Sequence, residues 1–389
     1  MTSTSIPQLH DASNDLVWRQ AQIDLSAITH NVQMLKRLAG VDEFIAVVKA
    51  DGYGHGSVEA AHAAIRGGAT RIGVADLSEA VHLVMSGVSQ VPVLAWLHPP
   101  DADFVGALAA GVEIGVSTIS QLESIAQQRS SDTVPRVHLK VETGLGRGGA
   151  APRTWESFMA TAAHLEQAGV LEVIGIFSHL SGASKQDDLQ QLEVFKKAVA
   201  TAEDLELRPS LVHLAATAAT ISLPETRLNT VRVGLGIYGL SPFENTTSAQ
   251  LGLRPAMSLQ APVIAIRDVE AGQGVSYGYD FKTETPTRLA LIPLGYADGI
   301  PRQASGKSWV AIDGQPHPVV GRIAMDQFVV DVADNPVQVG DIVTVFGSAV
   351  GEPSADHWAV AADTINYTVV TGIGRRVVRT YVTSYSDAK

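Results

Sequence analysis

Short apolar runs that end in a polar residue or a glycine recur along the first two-thirds of the chain. FIAVVKA (44–50), RIGVAD (71–76), VPVLAWLH (91–98), VEIGVST (112–118), RVHLKVETG (136–144), LEVIGIFSH (171–179), LVHLAAT (211–217) and VRVGLG (231–236) make eight. Runs with few polar positions suit strands that are covered on both faces. Between them lie stretches with helical spacing, such as SEAVHLVMSG, ISQLESIAQQ, TWESFMATAAHLEQAG and DDLQQLEVFKKAVATAED, several closed by a glycine. This alternation predicts an α/β fold in which residues 15–250 form a parallel (β/α)8 barrel of the TIM type, with a doubly wound open sheet as the alternative. From about Leu253 the texture changes to β-branched runs broken by turn residues, as in TRLALIPLGYADG and GDIVTVFG. Residues 251–389 are therefore expected to form a mostly antiparallel β domain, with residues 1–14 either disordered or packed upon it.

Length agrees with two domains, since 389 residues exceed what one core usually organises. Apolar residues make up 46% and charged residues 17%, which supports a large core and gives no compositional case for disorder. The formal charge, 28 minus 40 or −12, argues against nucleic acid as a partner while leaving room for a local basic pocket. With no cysteine, disulfides, thiolate metal sites and cysteine nucleophiles are excluded. No metal site is expected. No segment approaches the ~18 consecutive apolar residues of a membrane span, and the polar start MTSTSIPQLHDASNDLVW lacks a secretory pattern. A soluble cytoplasmic protein without membrane partners is the expectation.

The stretch AVVKADGYGHG (46–56) places Lys49 at the end of an apolar run, followed by a glycine-rich loop that can bring bare backbone close to a ligand. In a barrel, polar residues at the C-terminal ends of strands converge on one mouth. Collected this way, the mouth holds Lys49 and Tyr53, Lys140, Glu142 and Arg147, His179, Thr217, and Arg232 followed by GLGIYG. So many cations call for an anionic ligand, because burying unpaired charge is expensive. A phosphate fits beside Thr217 and the backbone of Gly234–Gly236, after strands seven and eight. Phosphate together with a lysine able to form a Schiff base points to pyridoxal phosphate. Most enzymes using it set a carboxylate against the pyridine nitrogen, whereas here Arg232 is on offer, which weakens the electron sink and favours returning a proton to Cα.

At these residues the chain resembles bacterial alanine racemases of the actinobacterial type. The resemblance spans residues 16–379 and rests on AVVKADGYGHG, HLKVETGLGR, VRVGLGIYGL, VSYG, LGYADG, VGRIAMDQ and TINY, seven motifs in one order. It implies a fold-type III enzyme that uses pyridoxal 5'-phosphate to interconvert L- and D-alanine and supplies D-alanine for peptidoglycan. It also implies a head-to-tail homodimer with shared active sites. A broader or serine-preferring amino-acid racemase is the alternative within the same fold.

By that resemblance Lys49 holds the cofactor as a Schiff base and serves the D face, and Tyr277 of the second subunit serves the L face. One acid/base group on each side of a planar carbanion is also a physical requirement of racemisation. His179 supports the tyrosine and contacts Arg232. Arg147 matches the arginine at the cofactor ring oxygen and the substrate carboxylate, and Lys140 matches a lysine that many members carry as a carbamate. An unmodified Lys140 paired with Glu142 is the alternative. Tyr53, Thr217, Gly234, Leu235 and Tyr367 match phosphate-binding positions. Tyr296 and Tyr367 narrow the access channel, with Arg302 and Arg322 further out, and Met325 and Asp326 lie at the substrate carboxylate end. Without the family these tyrosines read as mid-strand packing residues. The chain departs from the pattern at Ala216, Ala324 and Thr368, and in the loop SHLSGASKQDD.

Overall fold

The computed structural model describes residues 18–383, so the expectation for residues 1–14 lies outside it. The described chain starts with strand β1 (Gln20–Asp24) and the helix Leu25–Ala39. Asp24 caps that helix by accepting from the Ser26 and Ala27 N–H groups, and Gly40, left-handed at φ 65°, ends it. Eight parallel strands then close into a barrel: β2 (Glu43–Val47), β3 (Arg71–Val74), β4 (Val93–Ala95), β5 (Glu113–Val116), β6 (Arg136–Lys140), β7 (Glu172–Phe177), β8 (Leu211–His213) and β9 (Thr230–Val233). The register Phe44↔Val231 seals β9 against β2.

Each apolar run contributes one strand, and the closed barrel rules out the open sheet. The strands are shorter than the runs. Their C-terminal residues leave the ladder and form the mouth.

Glycines make room inside the barrel. A Cβ at Gly73 or Gly115 would come within 3.0 Å of the Trp96 side chain, and one at Gly175 would stand 2.1 Å from His138 Nδ1. Large rings fill the interior only because these positions carry no side chain.

The remaining strands are β10 (Met257–Pro262), β11 (Ala265–Val269), β12 (Gly274–Val275), β13 (Phe281–Lys282), β14 (Thr287–Ile292), β15 (Trp309–Ile312), β16 (Gln315–Val320), β17 (Phe328–Asp331), β18 (Ile342–Phe346) and β19 (Val378–Val382). Nine strands form one mostly antiparallel sheet in the order β11-β14-β17-β16-β15-β18-β10-β1-β19, and β12 pairs with β13 in a separate ribbon. Strand β1 lies between β10 and β19, so the sheet includes a strand from before the barrel. Two short helices, Ala355–Ala361 and Asn366–Thr371, precede β19. Among the described residues no helix is long and apolar enough to cross a membrane.

Candidate active site

After β2 the backbone turns left-handed, with φ of 52°, 52°, 62°, 54° and 82° at Ala50, Asp51, Gly52, Tyr53 and Gly54. Such backbone costs a non-glycine residue about 1–2 kcal/mol, so neighbours must hold it. Glu79 accepts from the Ala50 and Ala75 N–H groups at 2.6 and 2.8 Å, and Asp51 accepts from Ser57 N–H at 3.0 Å. Arg379 donates to the Gly54 carbonyl at 3.1 Å. A Cβ at Gly54 would stand 2.4 Å from the Val370 carbonyl oxygen, which explains the glycine. The turn thus fixes the half-buried Lys49 at the mouth. Burial first, then Arg147 and Arg232, hold its amine below the usual lysine range, while Glu79 opposes them.

Lys140, Arg147, His179 and Arg232 gather around the same mouth. Glu142 accepts four backbone N–H bonds, from Gly144, Gly146, Arg147 and Gly148 at 2.6–3.4 Å, and so shapes the loop that carries Arg147. The Glu142 carboxylate is turned to the loop, and its charge still favours the Lys140 ammonium. Burial, then Arg147 and Arg232, lower the Lys140 amine. His179 is pushed down to about 3 by burial and by Arg232, so it is neutral.

Arg232 is buried, and its partners are not acids. Nη1 donates to His213 Nδ1 at 3.0 Å and to the His213 carbonyl at 2.9 Å, and Nη2 donates to the Ser178 and Leu214 carbonyls at 2.6 and 3.3 Å. His179 Nδ1 lies 3.4 Å from the same Nη2. Burial draws the guanidinium down to about 9, still a cation at neutral pH. Nε makes none of these bonds.

On the other side of the mouth, Gly236 N–H donates to Thr217 Oγ at 3.3 Å. A Cβ at Gly234 would stand 2.3 Å from Tyr53 Oη, so only bare backbone fits there. Tyr53 packs between Tyr238 and Tyr367, with ring centroids 5.0 and 6.2 Å away. The Gly234 and Leu235 N–H groups reach no backbone acceptor among the described residues.

The structure corrects the mid-strand placement of the tyrosines. Tyr367 lies on the helix Asn366–Thr371, and Tyr296 on the single turn Tyr296–Asp298. Buried Asp298 pins that turn by accepting from Gly295 N–H and Arg376 Nε, each at 3.0 Å. Tyr296 and Ala297 N–H groups donate to the Ala324 and Met325 carbonyls, which joins the LGYADG and AMDQ loops. Asp326 pairs with Arg376 at 2.8 Å, and Arg322 pairs with Asp280. Arg302 starts another single turn. Tyr277 follows β12 and is 72% exposed, as is Met325 at 53%. Among the described residues, no side-chain hydrogen bond or ring contact joins Tyr277 to the barrel mouth of its own chain.

A family model described as the alanine racemase N-terminal domain matches residues 23–242, and one described as the C-terminal domain matches residues 256–381. The chain belongs to the alanine racemase family. It is 44% identical to alanine racemase of Thermobifida fusca over 367 residues, 93% of this chain and 97% of that one. It is 40% identical to that of Mycobacterium tuberculosis over 369 residues, again 93% of this chain and 95% of the relative. The crystal structure of alanine racemase from Streptomyces lavendulae superposes with a TM-score of 0.92 at 41% identity, covering 95% of this chain and 98% of that one.

Two features of this alanine racemase family member were missed in the sequence. Glu79 lies in a predicted helix and gave no sign that it holds the Lys49 turn. Inside the barrel, Glu113, His138 and His213 each interrupt an apolar run, and that interruption was the available signal. His138 Nε2 lies 3.1 Å from Glu113 Oε2, and His138 Nδ1 lies 3.0 Å from His213 Nε2.

Proposed function

We propose that the chain interconverts L- and D-alanine with pyridoxal 5'-phosphate, as a cytoplasmic homodimer that supplies D-alanine for peptidoglycan. The observation that carries this reading is the buried, acid-free Arg232 beside a lysine held below its usual range.

The mouth fits the cofactor by its donor set. Lys49 provides the amine for covalent attachment. Thr217, Tyr53, Tyr367 and the open N–H groups of Gly234 and Leu235 suit a phosphate. Arg147 suits the ring oxygen, and the uncommitted Nε of Arg232 suits a neutral pyridine nitrogen. When bound, the cofactor supplies an aldehyde that takes an amine and a ring that draws electrons from Cα.

With its amine free, Lys49 would take or return the Cα proton on one face. Its lowered affinity for protons favours the neutral amine that a base requires. Tyr277 of the partner subunit acts on the other face, which its exposure leaves open to a second chain. A phenol needs help at neutral pH, having an ordinary pKa near ~10. His179 gives that help: its Nδ1 faces a guanidinium that can only donate, so its Nε2 carries the hydrogen and stabilises a phenolate. Arg147 receives the substrate carboxylate, with Met325 and Asp326 of the partner beside it, and Tyr296 restricts the channel to small side chains. Lys140, with its amine lowered, adds CO2 and releases a proton, and the resulting carbamate anion steadies Arg147.

Incubation of L-alanine in D2O tests this reading. D-alanine carrying deuterium at Cα is expected, and borohydride should fix the cofactor on Lys49. A protein that stays colourless and inert with added pyridoxal phosphate would end it.

A further inference from the structure

Behind Arg232, the barrel interior contains a line of polar groups to which the proposed chemistry assigns no role. It starts at Glu113, the first residue of β5, and its side chain is fully buried. Arg71 Nε lies 3.2 Å from Glu113 Oε2, and Arg136 lies 3.4 Å from Oε1. From Oε2 the line passes through His138 and His213 to Arg232, with links of 3.1, 3.0 and 3.0 Å. Every member is buried.

The two ends fix the polarity of the whole line. A carboxylate only accepts and a guanidinium only donates. His138 Nε2 must therefore carry a hydrogen toward Glu113. Burial lowers both histidines, which stay neutral and hold one ring hydrogen each. His138 Nδ1 is then bare and accepts from His213 Nε2–H, which leaves His213 Nδ1 bare and facing Arg232 Nη1. No other placement of two hydrogens satisfies all three contacts.

The surrounding packing is built for this line. The His138 ring occupies the space that a Cβ at Gly175 would take, 2.1 Å from Nδ1. Phe177 stacks on the His213 ring with centroids 4.9 Å apart and planes 7° apart. The rings cannot tilt freely, so hydrogen placement is the variable that remains.

We propose that Glu113 and His138 are positioning residues, which fix the His213 tautomer so that a bare Nδ1 holds Arg232 with its Nε directed to the cofactor. This rests on the functional reading above. Neither residue touches the reacting atoms. A charged acceptor at the far end also strengthens each bond in the line.

Histidine-selective ¹⁵N NMR on the full-length protein, with and without pyridoxal phosphate, tests the assignment. Substitution of His138 by Gln identifies its signals. In the wild type, His138 and His213 should both show a protonated Nε2 and a bare Nδ1. Glu113→Gln retains an acceptor oxygen and should leave both tautomers unchanged. Glu113→Leu should scramble the His213 tautomer, shift the cofactor's visible band, and lower kcat on the order of tenfold with little change in KM, the scale of lost outer support. A protonated His213 Nδ1 in the wild type would overturn the proposal even if Glu113→Leu fails to fold. Unchanged tautomers and turnover in Glu113→Leu would overturn it as well. Wild-type protein that binds no pyridoxal phosphate would instead sink the functional reading, and the tautomer spectra would still decide this one.

Discussion

Substituting Gly234 by alanine isolates the proposed phosphate side of the site. The added methyl would lie 2.3 Å from Tyr53 Oη and 3.0 Å from Cζ, inside any normal contact distance. Tyr53 cannot swing away easily, since it is 8% exposed and packs against Tyr238 and Tyr367. Its hydroxyl must move by roughly 1 Å, and overpacking of this kind costs about 1–3 kcal/mol. If the strain falls on the phosphate cradle, pyridoxal phosphate binds about 5- to 150-fold more weakly. Absorbance or fluorescence titration of the cofactor-free protein measures this. The same methyl in a Tyr53→Phe background meets no hydroxyl, only a ring edge near 3.0 Å, so the penalty should shrink. The coupling between the two substitutions is the diagnostic quantity. Wild-type affinity in Gly234→Ala, or an equal loss with and without the Tyr53 hydroxyl, would refute the reasoning.

Three further outcomes follow from the geometry. Burial holds fully buried His55 down to about 4 despite hydrogen bonds to the Tyr53 and Gly52 carbonyls that favour its charged form. The unfolded chain therefore takes up the proton first as pH falls through about 6.5, and stability drops by about 2 kcal/mol at pH 5. Urea midpoints at neutral and acid pH should show this drop, and His55→Gln should reduce it; an unchanged slope would remove the assignment. Glu79→Ala leaves the left-handed turn without its acceptor and should cost about 1–3 kcal/mol of stability, with Lys49 held lower still, both readable from chemical denaturation and the pH dependence of lysine modification. Asp298→Ala frees the Gly295–Tyr296 turn from its buried carboxylate, so a higher KM for alanine and a lower Tm are expected, and an unchanged KM would count against a gate at Tyr296.

The barrel was legible because parallel strands covered on both faces have a distinct signature, an unbroken apolar run such as FIAVV, repeated at helix-sized intervals. Lys49 was legible for the same reason, as a cation ending such a run. The place of β1 in the sheet was not, because its partners β10 and β19 lie more than two hundred residues further on and local patterns cannot encode that pairing. NYTVVT reads as strand by its β-branched content, yet the chain forms a helix there, which packs under Gly54 and sets Tyr367 beside Tyr53. Tertiary packing overrides propensity in so short a segment. The Glu113 line was hidden for another reason. A single histidine in RVHLK gives no sign of its partners on other strands.

The proposed racemisation needs a lysine from one chain and a phenol from another to act on a shared substrate. Mixing inactive Lys49→Ala and Tyr277→Phe proteins under conditions that exchange subunits tests this most directly. Random reassociation places both defects in one site and leaves its mate intact, so recovery of about a quarter of wild-type turnover is predicted for a two-fold dimer. A mixture as inactive as its two parents, with mixed dimers verified by mass, would contradict it.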